Sequence, residues 1–295
     1  MVGKLEYILI LLLSCTMMTA GNRYALTVFI SEYPQESGWN KLNSYNDKTL
    51  ILSMLHSIGY TDDAILCLED EDATYANITH AMNALLNKVS KGDEVYIHFS
   101  CHGQQITDLD GDEALANPKD KYDEALVPYD AYIAYDWNCY KGDRHLLDDD
   151  INVWLHKLSS IVGKDGTILF IADACHSGDI VRTKSTKNYS GFRGTFDRFN
   201  LPLRSVEKAR ARYDLECVVI SACKDFETNY EYKEDGVCYG RLSFAVAKSM
   251  RKGMTARELV DAIKTEYSKM PLPKGKAQSP DAEYPKNFVH KVLFR

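Results

Sequence analysis

The sequence lacks an excess of basic residues, which limits the partners that the protein can bind through charge. Its 295 residues include 35 Lys and Arg against 42 Asp and Glu, so the net charge is -7. Nucleic acids and anionic membrane surfaces are bound through basic patches. We therefore expect no nucleic-acid partner.

Long apolar runs are also missing. The apolar stretch of residues 7–13 follows Lys4 and is too short to cross a bilayer, which needs roughly 20 apolar residues. Residues 1–20 are predicted to be a signal peptide, so we expect an exported protein, periplasmic or secreted, with no transmembrane span. The residues that end at Cys15 resemble a lipoprotein processing box, which leaves a lipid anchor on Cys15 as an alternative.

Linker-like and low-complexity tracts are absent from the rest of the chain, and a disulfide framework is not indicated. One domain over residues 21–295 is therefore expected. The eight cysteines show no repeated spacing, and the chain is far longer than the small disulfide-rich domains. Four of them lie in or beside apolar runs, where a buried thiol behaves as a small hydrophobe: Cys67, Cys101, Cys217 and Cys223. Whether any cysteines pair stays open.

Short apolar runs alternate with amphipathic segments along this domain. Strands are predicted at residues 24–30, 64–68, 95–100, 167–172 and 217–222. Helices are predicted around residues 51–58, 78–89, 151–158, 241–250 and 255–270, from apolar residues three and four apart. The alternation predicts an α/β fold with a mostly parallel sheet between helices on both faces. The acidic stretch 107–149 and the basic stretch 181–212 are predicted as long loops.

Two chemically active side chains follow the third and fourth predicted strands. His102 and Cys175 stand where the ligand crevice of a parallel sheet is expected, beyond the carboxyl ends of its strands. A thiol of ordinary pKa, about 8.5, needs a neighbouring base to become a nucleophile. His102 can take the thiol proton and later protonate a leaving amine. The backbone N–H groups of Gly103 and Cys175 could hold the oxyanion of a tetrahedral intermediate.

Asp173 is unexpected two residues before a nucleophilic cysteine, because a carboxylate raises the cost of forming a thiolate. A cationic Arg or Lys side chain of the substrate would offset this charge through a charge-assisted hydrogen bond. The alternative is that Asp173 only hydrogen-bonds the turn that follows it.

Residues 96–104 (YIHFSCHGQ) and 171–178 (IADACHSG) resemble the His and Cys motifs of metacaspases, which are caspase-like cysteine peptidases. Further similar segments are residues 110–113, 122–130, 147–149, 221–223, 240–245 and 278–280. The resemblance covers about residues 24–295. It implies a caspase-like sheet and an endopeptidase that cuts polypeptides after Arg or Lys through a Cys–His dyad. The large-subunit-like part would be residues 21–180, and the small-subunit-like part residues 213–295.

The resemblance also implies binding residues. Asp173, Ser100 and Asp47 match the acidic pocket for the basic side chain. Metacaspases require no cofactor, but many are stimulated by calcium, and Asp123, Asp148 and Asp149 match such positions. A solvated acidic loop is the alternative there. Two residues depart from the pattern: Cys101 replaces a usual glycine, and Ser44 replaces a cysteine that some relatives carry.

Several alternatives stay open at this point. The basic loop offers nine Lys and Arg residues where the enzyme could cut itself, or it is an ordinary exposed loop. A catalytically silent caspase-fold module for binding or signalling is the main alternative function. A Cys2His2 metal site is disfavoured, because adjacent residues of a strand point in opposite directions. Cleavage after Asp is disfavoured, because Asp173 would repel the substrate carboxylate.

Overall fold

The computed structural model describes residues 21–113, 120–175, 191–202, 213–224 and 227–295. The predicted signal peptide, Cys15, His176 and about two thirds of the basic loop lie outside these ranges. In the part of the chain that is described, no helix is both long enough and apolar enough to cross a membrane.

Within the described ranges, a central sheet and two small sheets carry the strands, and five α-helices cover the central sheet. The strands are β1 (Arg23–Phe29), β2 (Ile65–Glu69), β3 (Glu94–Ser100), β4 (Gly103–Thr107), β5 (Tyr122–Leu126), β6 (Leu146–Leu147), β7 (Thr167–Asp173), β8 (Val218–Ser221), β9 (Glu231–Glu234), β10 (Val237–Gly240) and β11 (Asp281–Glu283). The helices are α1 (Ser44–Ser57), α2 (Tyr75–Lys88), α3 (Asp148–Val162), α4 (Arg241–Ser249) and α5 (Ala256–Lys269).

The central sheet has the strand order β11-β8-β7-β3-β1-β2. Its first five strands along the chain are parallel, and β11 pairs antiparallel with β8 at one edge. All seven residues of β3 and of β7 are buried, as expected for strands that are covered on both faces. The α/β fold with a mostly parallel sheet is thus confirmed.

Side chains alternate between the two faces of the sheet and build one core on each. Tyr96 and Leu169 join the core against α1, α4 and α5, whose apolar residues include Ile51 and Leu259. The other core lies against α2 and α3, and its residues include Val95, Ile97, Phe99, Met82 and Trp154. Cys101 belongs to this second core at 1% exposure, so the residue that replaces the usual glycine packs inward.

The acidic stretch 107–149 was predicted as a loop, and this prediction is wrong in part. The segment contains β5 and β6, which form an antiparallel sheet with β4. Acidic Asp123 and Glu124 interrupt the apolar pattern of β5, so its sequence does not look like a strand. Helix α3 begins at Asp148, with three acidic residues in its first turn, where they interact favourably with the helix dipole.

None of the seven described cysteines forms a disulfide; they are Cys67, Cys101, Cys139, Cys175, Cys217, Cys223 and Cys238. Of the four cysteines expected to pack as apolar side chains, Cys101, Cys217 and Cys223 are buried, whereas Cys67 is only half-buried.

Candidate active site

The register of β3 and β7 assembles the candidate site at the carboxyl end of the sheet. Ser100 lies opposite Asp173 in the last pair of this parallel ladder. The chain then continues to His102 on one strand and to Cys175 on the other. All four side chains are buried, with at most 1% of the residue exposed.

His102 is held in one orientation and one tautomer. Its Nε2 lies 2.7 Å from the backbone oxygen of Asn40, which can only accept a hydrogen bond. Nε2 therefore carries the proton, and Nδ1 is the acceptor nitrogen. The ring stacks on Trp39 at 4.8 Å between centroids and lies 5.2 Å from the ring of Tyr33. Burial lowers the pKa of His102 to about 4.

The Nδ1 of His102 has no hydrogen-bond partner among the described residues, so it is available to a proton from a neighbouring group. The Sγ of Cys175 lies 3.6 Å from the backbone oxygen of Glu227. The thiol is fully buried. A neutral imidazole with a fixed acceptor nitrogen is suited to act as a general base.

A segment of the basic loop, residues 191–194, occupies the site. The backbone oxygen of Arg193 accepts hydrogen bonds from the N–H of Cys175 at 2.9 Å and from the N–H of Gly103 at 3.3 Å. These are the two donors that the sequence suggested for an oxyanion. The backbone N–H groups of Gly103 and Cys175 thus converge on one carbonyl oxygen, as the donors of an oxyanion hole do.

The residues on either side of this carbonyl are also held by backbone contacts. The N–H of Arg193 donates to Asn229 at 3.1 Å, and the N–H of Glu231 donates to Gly191 at 2.6 Å. The segment therefore pairs with residues 229–231 in the manner of an added β-strand. On the other side, a Cβ at Gly194 would lie 2.6 Å from the backbone oxygen of Cys175, so this close approach requires glycine.

The side chain of Arg193 fills a pocket lined by the predicted acids. Its Nη2 donates to Asp47 Oδ2 at 2.8 Å and to Glu231 Oε1 at 3.1 Å. Its Nη1 donates to Ser100 Oγ at 2.6 Å and to Ser44 Oγ at 3.4 Å. The guanidinium and both Asp47 and Ser100 are fully buried. The three predicted pocket residues, Asp47, Ser100 and Asp173, thus surround a single cation.

Three carboxylates around one guanidinium shift the proton affinities in the pocket. Burial raises the pKa of Asp47 to about 7, with Arg193 opposing this rise and Asp173 adding to it. Burial tends to lower the pKa of Arg193, but the charges of Asp47, Asp173 and Glu231 raise it above its usual value. The pocket therefore strongly favours a charged guanidinium.

Asp173 contributes mainly through its charge. Its Oδ1 lies 4.0 Å from Arg193 Nε and accepts from Asn229 Nδ2 at 2.8 Å. Its Oδ2 accepts from both the N–H and the hydroxyl of Ser243, at 2.7 and 2.8 Å. Asp173 therefore does more than hydrogen-bond the turn that follows it, because its partners Arg193, Asn229 and Ser243 come from distant parts of the chain.

Sequence reasoning missed four residues of this site as individual contributors: Asn229, Glu231, Gly240 and Ser243. Gly240 donates its N–H to Asp47 Oδ1 at 2.8 Å, and a Cβ there would collide with Asp173 and with the guanidinium. Gly240 and Ser243 belong to the segment 240–245 that resembled the metacaspase pattern, so a signal was present. Asn229 and Glu231 stand in a polar stretch with no motif of its own.

A separate acidic cluster surrounds the connection from β4 to β5 and the start of α3. Carboxylate oxygens lie within 4.8 Å of one another in three sets: Asp108, Asp112 and Asp123; Asp110, Asp112 and Asp149; Glu113, Glu124 and Asp148. Burial and the neighbouring acids raise the pKa of Asp123 to about 8. Asp123, Asp148 and Asp149, which the resemblance associated with calcium, each belong to a different set. Carboxylate oxygens at these spacings suit a hard divalent cation.

Comparison with solved structures shows the fold. Protein GSU0716 from Geobacter sulfurreducens matches with a TM-score of 0.63 and 21% identity, over 92% of this chain and 98% of that one. Caspase-1 from Spodoptera frugiperda matches with a TM-score of 0.52 and 10% identity, over 90% and 87% of the two chains. Both carry the fold of the central sheet and its helices.

Comparison of sequences identifies relatives. Metacaspase-1B of Neosartorya fischeri is 28% identical over 292 residues, which span 83% of this chain and 66% of the relative. Metacaspase-1 of Mycosarcoma maydis is 26% identical over 298 residues, 85% and 69% of the two chains. The chain thus spans about two thirds of the length of these relatives. The model of the metacaspase family, peptidase C14 domain, matches residues 24–184. The chain belongs to the metacaspase family of C14 peptidases.

Proposed function

We propose that the protein is a cysteine endopeptidase that cuts after Arg or Lys, and that the Arg193–Gly194 bond of its own chain is one of its substrates. The observation that carries this proposal is the position of Arg193. Its side chain fills an acidic pocket while its carbonyl oxygen accepts from the N–H groups of Gly103 and Cys175. The side chain of Arg193 is thus held in the pocket while the carbonyl of the bond to be cut is held by the two N–H donors.

The chemistry follows from this arrangement. The sulfur of Cys175 attacks the carbonyl carbon of Arg193 and passes its proton to Nδ1 of His102. The negative charge that develops on the carbonyl oxygen is stabilised by the two N–H donors, each worth roughly 3 kcal/mol in comparable sites. His102 returns the proton to the amine of Gly194, and the peptide bond breaks. Water then hydrolyses the thioester and frees Cys175.

The pKa of His102 decides which form of the dyad attacks. At about 4, this pKa leaves the imidazole neutral at physiological pH while the segment covers the site. His102 therefore acts as a general base on a thiol, rather than as half of a stable ion pair with a thiolate. Asp173 favours the same form, because its negative charge opposes a thiolate nearby.

The pocket also discriminates between the alternatives. A substrate Asp would bring a fourth carboxylate to Asp47, Asp173 and Glu231, without a cation to balance it. A silent binding module would not need a fixed histidine tautomer beside a pair of N–H donors. Both features favour an enzyme with basic specificity.

This function can be tested with peptides that differ only in the residue before the cleaved bond. The purified chain is expected to cleave arginyl and lysyl fluorogenic peptides with a kcat/KM roughly a hundredfold above that for the aspartyl peptide, because like charges across a contact cost several kcal/mol. Equal turnover of all three peptides would contradict the pocket assignment. Titration with an arginyl chloromethyl ketone, which alkylates an active thiol, distinguishes an enzyme from a silent module.

We further propose that a calcium ion binds the acidic cluster. The support is the convergence of carboxylate oxygens from the β4–β5 connection, from β5 and from the start of α3. The cluster is linked to the candidate site by β4, which begins at Gly103 and pairs with the segment after Arg193 through Phe199. A cation there could stabilise the strand that carries one oxyanion donor.

Calcium is expected to raise the melting temperature of the protein, because a ligand that binds only the folded state stabilises it. At about one hundred times its Kd, the gain is about 2.7 kcal/mol. Asp123→Asn removes a buried ligand and should abolish most of this shift, measured by differential scanning calorimetry. Asp261→Asn, an exposed acid on α5, is the matched control. Equal calcium shifts in the two variants would rule out the site.

A further inference from the structure

The residues that follow the Arg193–Gly194 bond lie along strand β4. Gly194 pairs with Gly103, and Phe199 pairs with Ile106, both in parallel orientation. Because the N–H of Gly103 is one of the two donors to the Arg193 carbonyl, the strand that carries this donor also holds the chain beyond the bond. The proposed substrate segment is therefore contacted on both sides of the bond to be cut.

Backbone hydrogen bonds fix the register of the segment on β4 at Phe199. Its N–H donates to the backbone oxygen of Gln105 at 2.8 Å, and its oxygen accepts from the N–H of Thr107 at 3.0 Å. Further along, the N–H of Leu201 donates to Thr107 Oγ1 at 3.0 Å. Backbone bonds of this kind hold a segment without distinguishing its side chains, so any selection must come from pockets beside the strand.

The side chain of Gln104 holds the part of the segment between the two pairs. Its Nε2 donates to the backbone oxygen of Asp197 at 2.8 Å. Its Oε1 accepts from Nε2 of His145 at 2.9 Å, and both Gln104 and His145 are buried. The amide is thus oriented by a fixed partner, and it offers the segment a donor immediately after Gly103.

The ring of Phe199 fills an aromatic pocket beside β4. Its centroid lies 4.8 Å from that of His145, 5.5 Å from that of Tyr140 and 6.4 Å from that of Tyr135. The two tyrosine rings meet it edge to face, a geometry that favours an aromatic side chain. A Cβ at Gly142 would lie 2.8 Å from Phe199 Cε1, so glycine leaves the room for the ring. Phe199 is fully buried.

The walls of this pocket are held together by their own contacts. Tyr140 exchanges both backbone hydrogen bonds with Asp136, at 2.8 and 2.9 Å. The hydroxyl of Tyr140 donates to Nδ1 of His145 at 2.7 Å. Burial lowers the pKa of His145 to about 3, so its ring is neutral and can accept this bond. None of these contacts involves Phe199, so the pocket is formed by the part of the chain that binds the segment.

We propose that β4 and this aromatic pocket form a subsite for the residues after the cut, and that the subsite takes an aromatic side chain at the sixth residue after the basic one. The inference rests on the proposed function and deepens it by adding a second recognised residue to the substrate. In the chain itself, the two residues are Arg193 and Phe199. Of the nine Lys and Arg residues of the basic loop, only Arg193 is followed by an aromatic residue at this spacing.

The first test is the cut of the chain's own bond in Phe199→Ala. Without the ring, the segment is held less firmly and the Arg193 carbonyl is less often aligned with its two donors. The rate of this cut is divided by kcat/KM for a short arginyl fluorogenic peptide, which does not reach the pocket. The ratio is expected to fall about tenfold. Trp137→Ala, which removes an aromatic side chain that is 67% exposed, is the matched control and should keep the parent ratio.

The second test asks whether the emptied pocket recognises an added side chain. Two peptides with the sequence of residues 191–201 are compared, one unchanged and one with alanine at the position of Phe199. The Phe199→Ala chain should cut the unchanged peptide after its first arginine with a kcat/KM about tenfold higher, because burial of a phenyl ring favours binding. Mass spectrometry locates the cut. Phe199→Leu, which keeps more of the apolar volume, is the second host and should show the same preference.

The outcomes separate this inference from the proposed function. A self-cut and a short-peptide turnover that fall in the same proportion in Phe199→Ala show that Phe199 only supports the fold, and they overturn the inference while the peptidase stands. Equal cutting of the two long peptides by both Phe199 variants does the same. A parent chain that cleaves no arginyl peptide and stays whole overturns both proposals. A self-cut that slows selectively, together with a preference for the phenylalanine peptide, supports the subsite.

Discussion

Replacing Cys175 by alanine is expected to leave the chain uncut between Arg193 and Gly194. The parent chain should separate into two fragments, the second of which begins with residues 194–198 (GTFDR). The variant has no sulfur to attack the carbonyl that the two N–H donors hold. Its kcat/KM on an arginyl peptide should fall by roughly 10⁴-fold or more, as for other catalytic nucleophiles. Intact mass spectrometry and amino-terminal sequencing check the cut.

The control for this prediction is another cysteine of the same chain. Cys139→Ala changes an exposed thiol and should be cut like the parent. Arg193→Gln, which keeps the nucleophile but removes the guanidinium, should also remain whole at this bond. Cleavage of Cys175→Ala at the parent rate would show that another protease makes the cut, and it would remove the chain's own bond from the list of substrates.

The rate of the cut at different protein concentrations tells whether a molecule cuts itself or its neighbour. Arg193 occupies the pocket of the same chain, and the carbonyl of this residue is already in contact with both donors. A first-order rate that is independent of concentration is therefore expected. The buried Cys175 has a second consequence, since an added peptide can reach it only after the segment 191–194 leaves.

The general fold and the two candidate catalytic residues could be predicted from the sequence because the patterns that indicate them are local. The strands β3 and β7 are continuous apolar runs that end in polar motifs, so both their location and the position of His102 and Cys175 follow from the order of residues. Strand β5 could not be recognised in the same way. Its two adjacent acids, Asp123 and Glu124, mask the alternation, and only pairing with β4 makes it a strand.

The occupant of the pocket could not be predicted, because it depends on distant contacts. The basic loop holds nine Lys and Arg residues, and each could in principle be a cleavage position. Arg193 is selected by pairing with residues 229–231 and by the room that Gly194 leaves beside Cys175. Glu231, 38 residues further along, meets Arg193 only in the folded chain. Tertiary contacts of this kind leave no periodic trace in the sequence.

Replacing Asp47 by asparagine is expected to lower the kcat/KM for an arginyl peptide by roughly a hundredfold or more, as for the breaking of a buried ion pair. Asp47 Oδ2 accepts from both Ser100 and Arg193, and Oδ1 accepts from the N–H of Gly240. An asparagine must direct its NH₂ group at one of these donors, so it loses a hydrogen bond as well as the charge. Asp62→Asn, fully exposed beyond the end of α1, should change nothing.

Asp47→Asn should also abolish the pH dependence of KM for the arginyl peptide. Burial raises the pKa of Asp47 to about 7, and the positive charge of the bound guanidinium acts to lower it. Because the guanidinium favours the ionised carboxyl, KM for the arginyl peptide is expected to rise as the pH falls and this carboxyl is protonated. Asp47→Asn should show no such rise. A parent-like KM profile in the variant would contradict the assignment, because it would place the titrating group outside the pocket that holds the guanidinium.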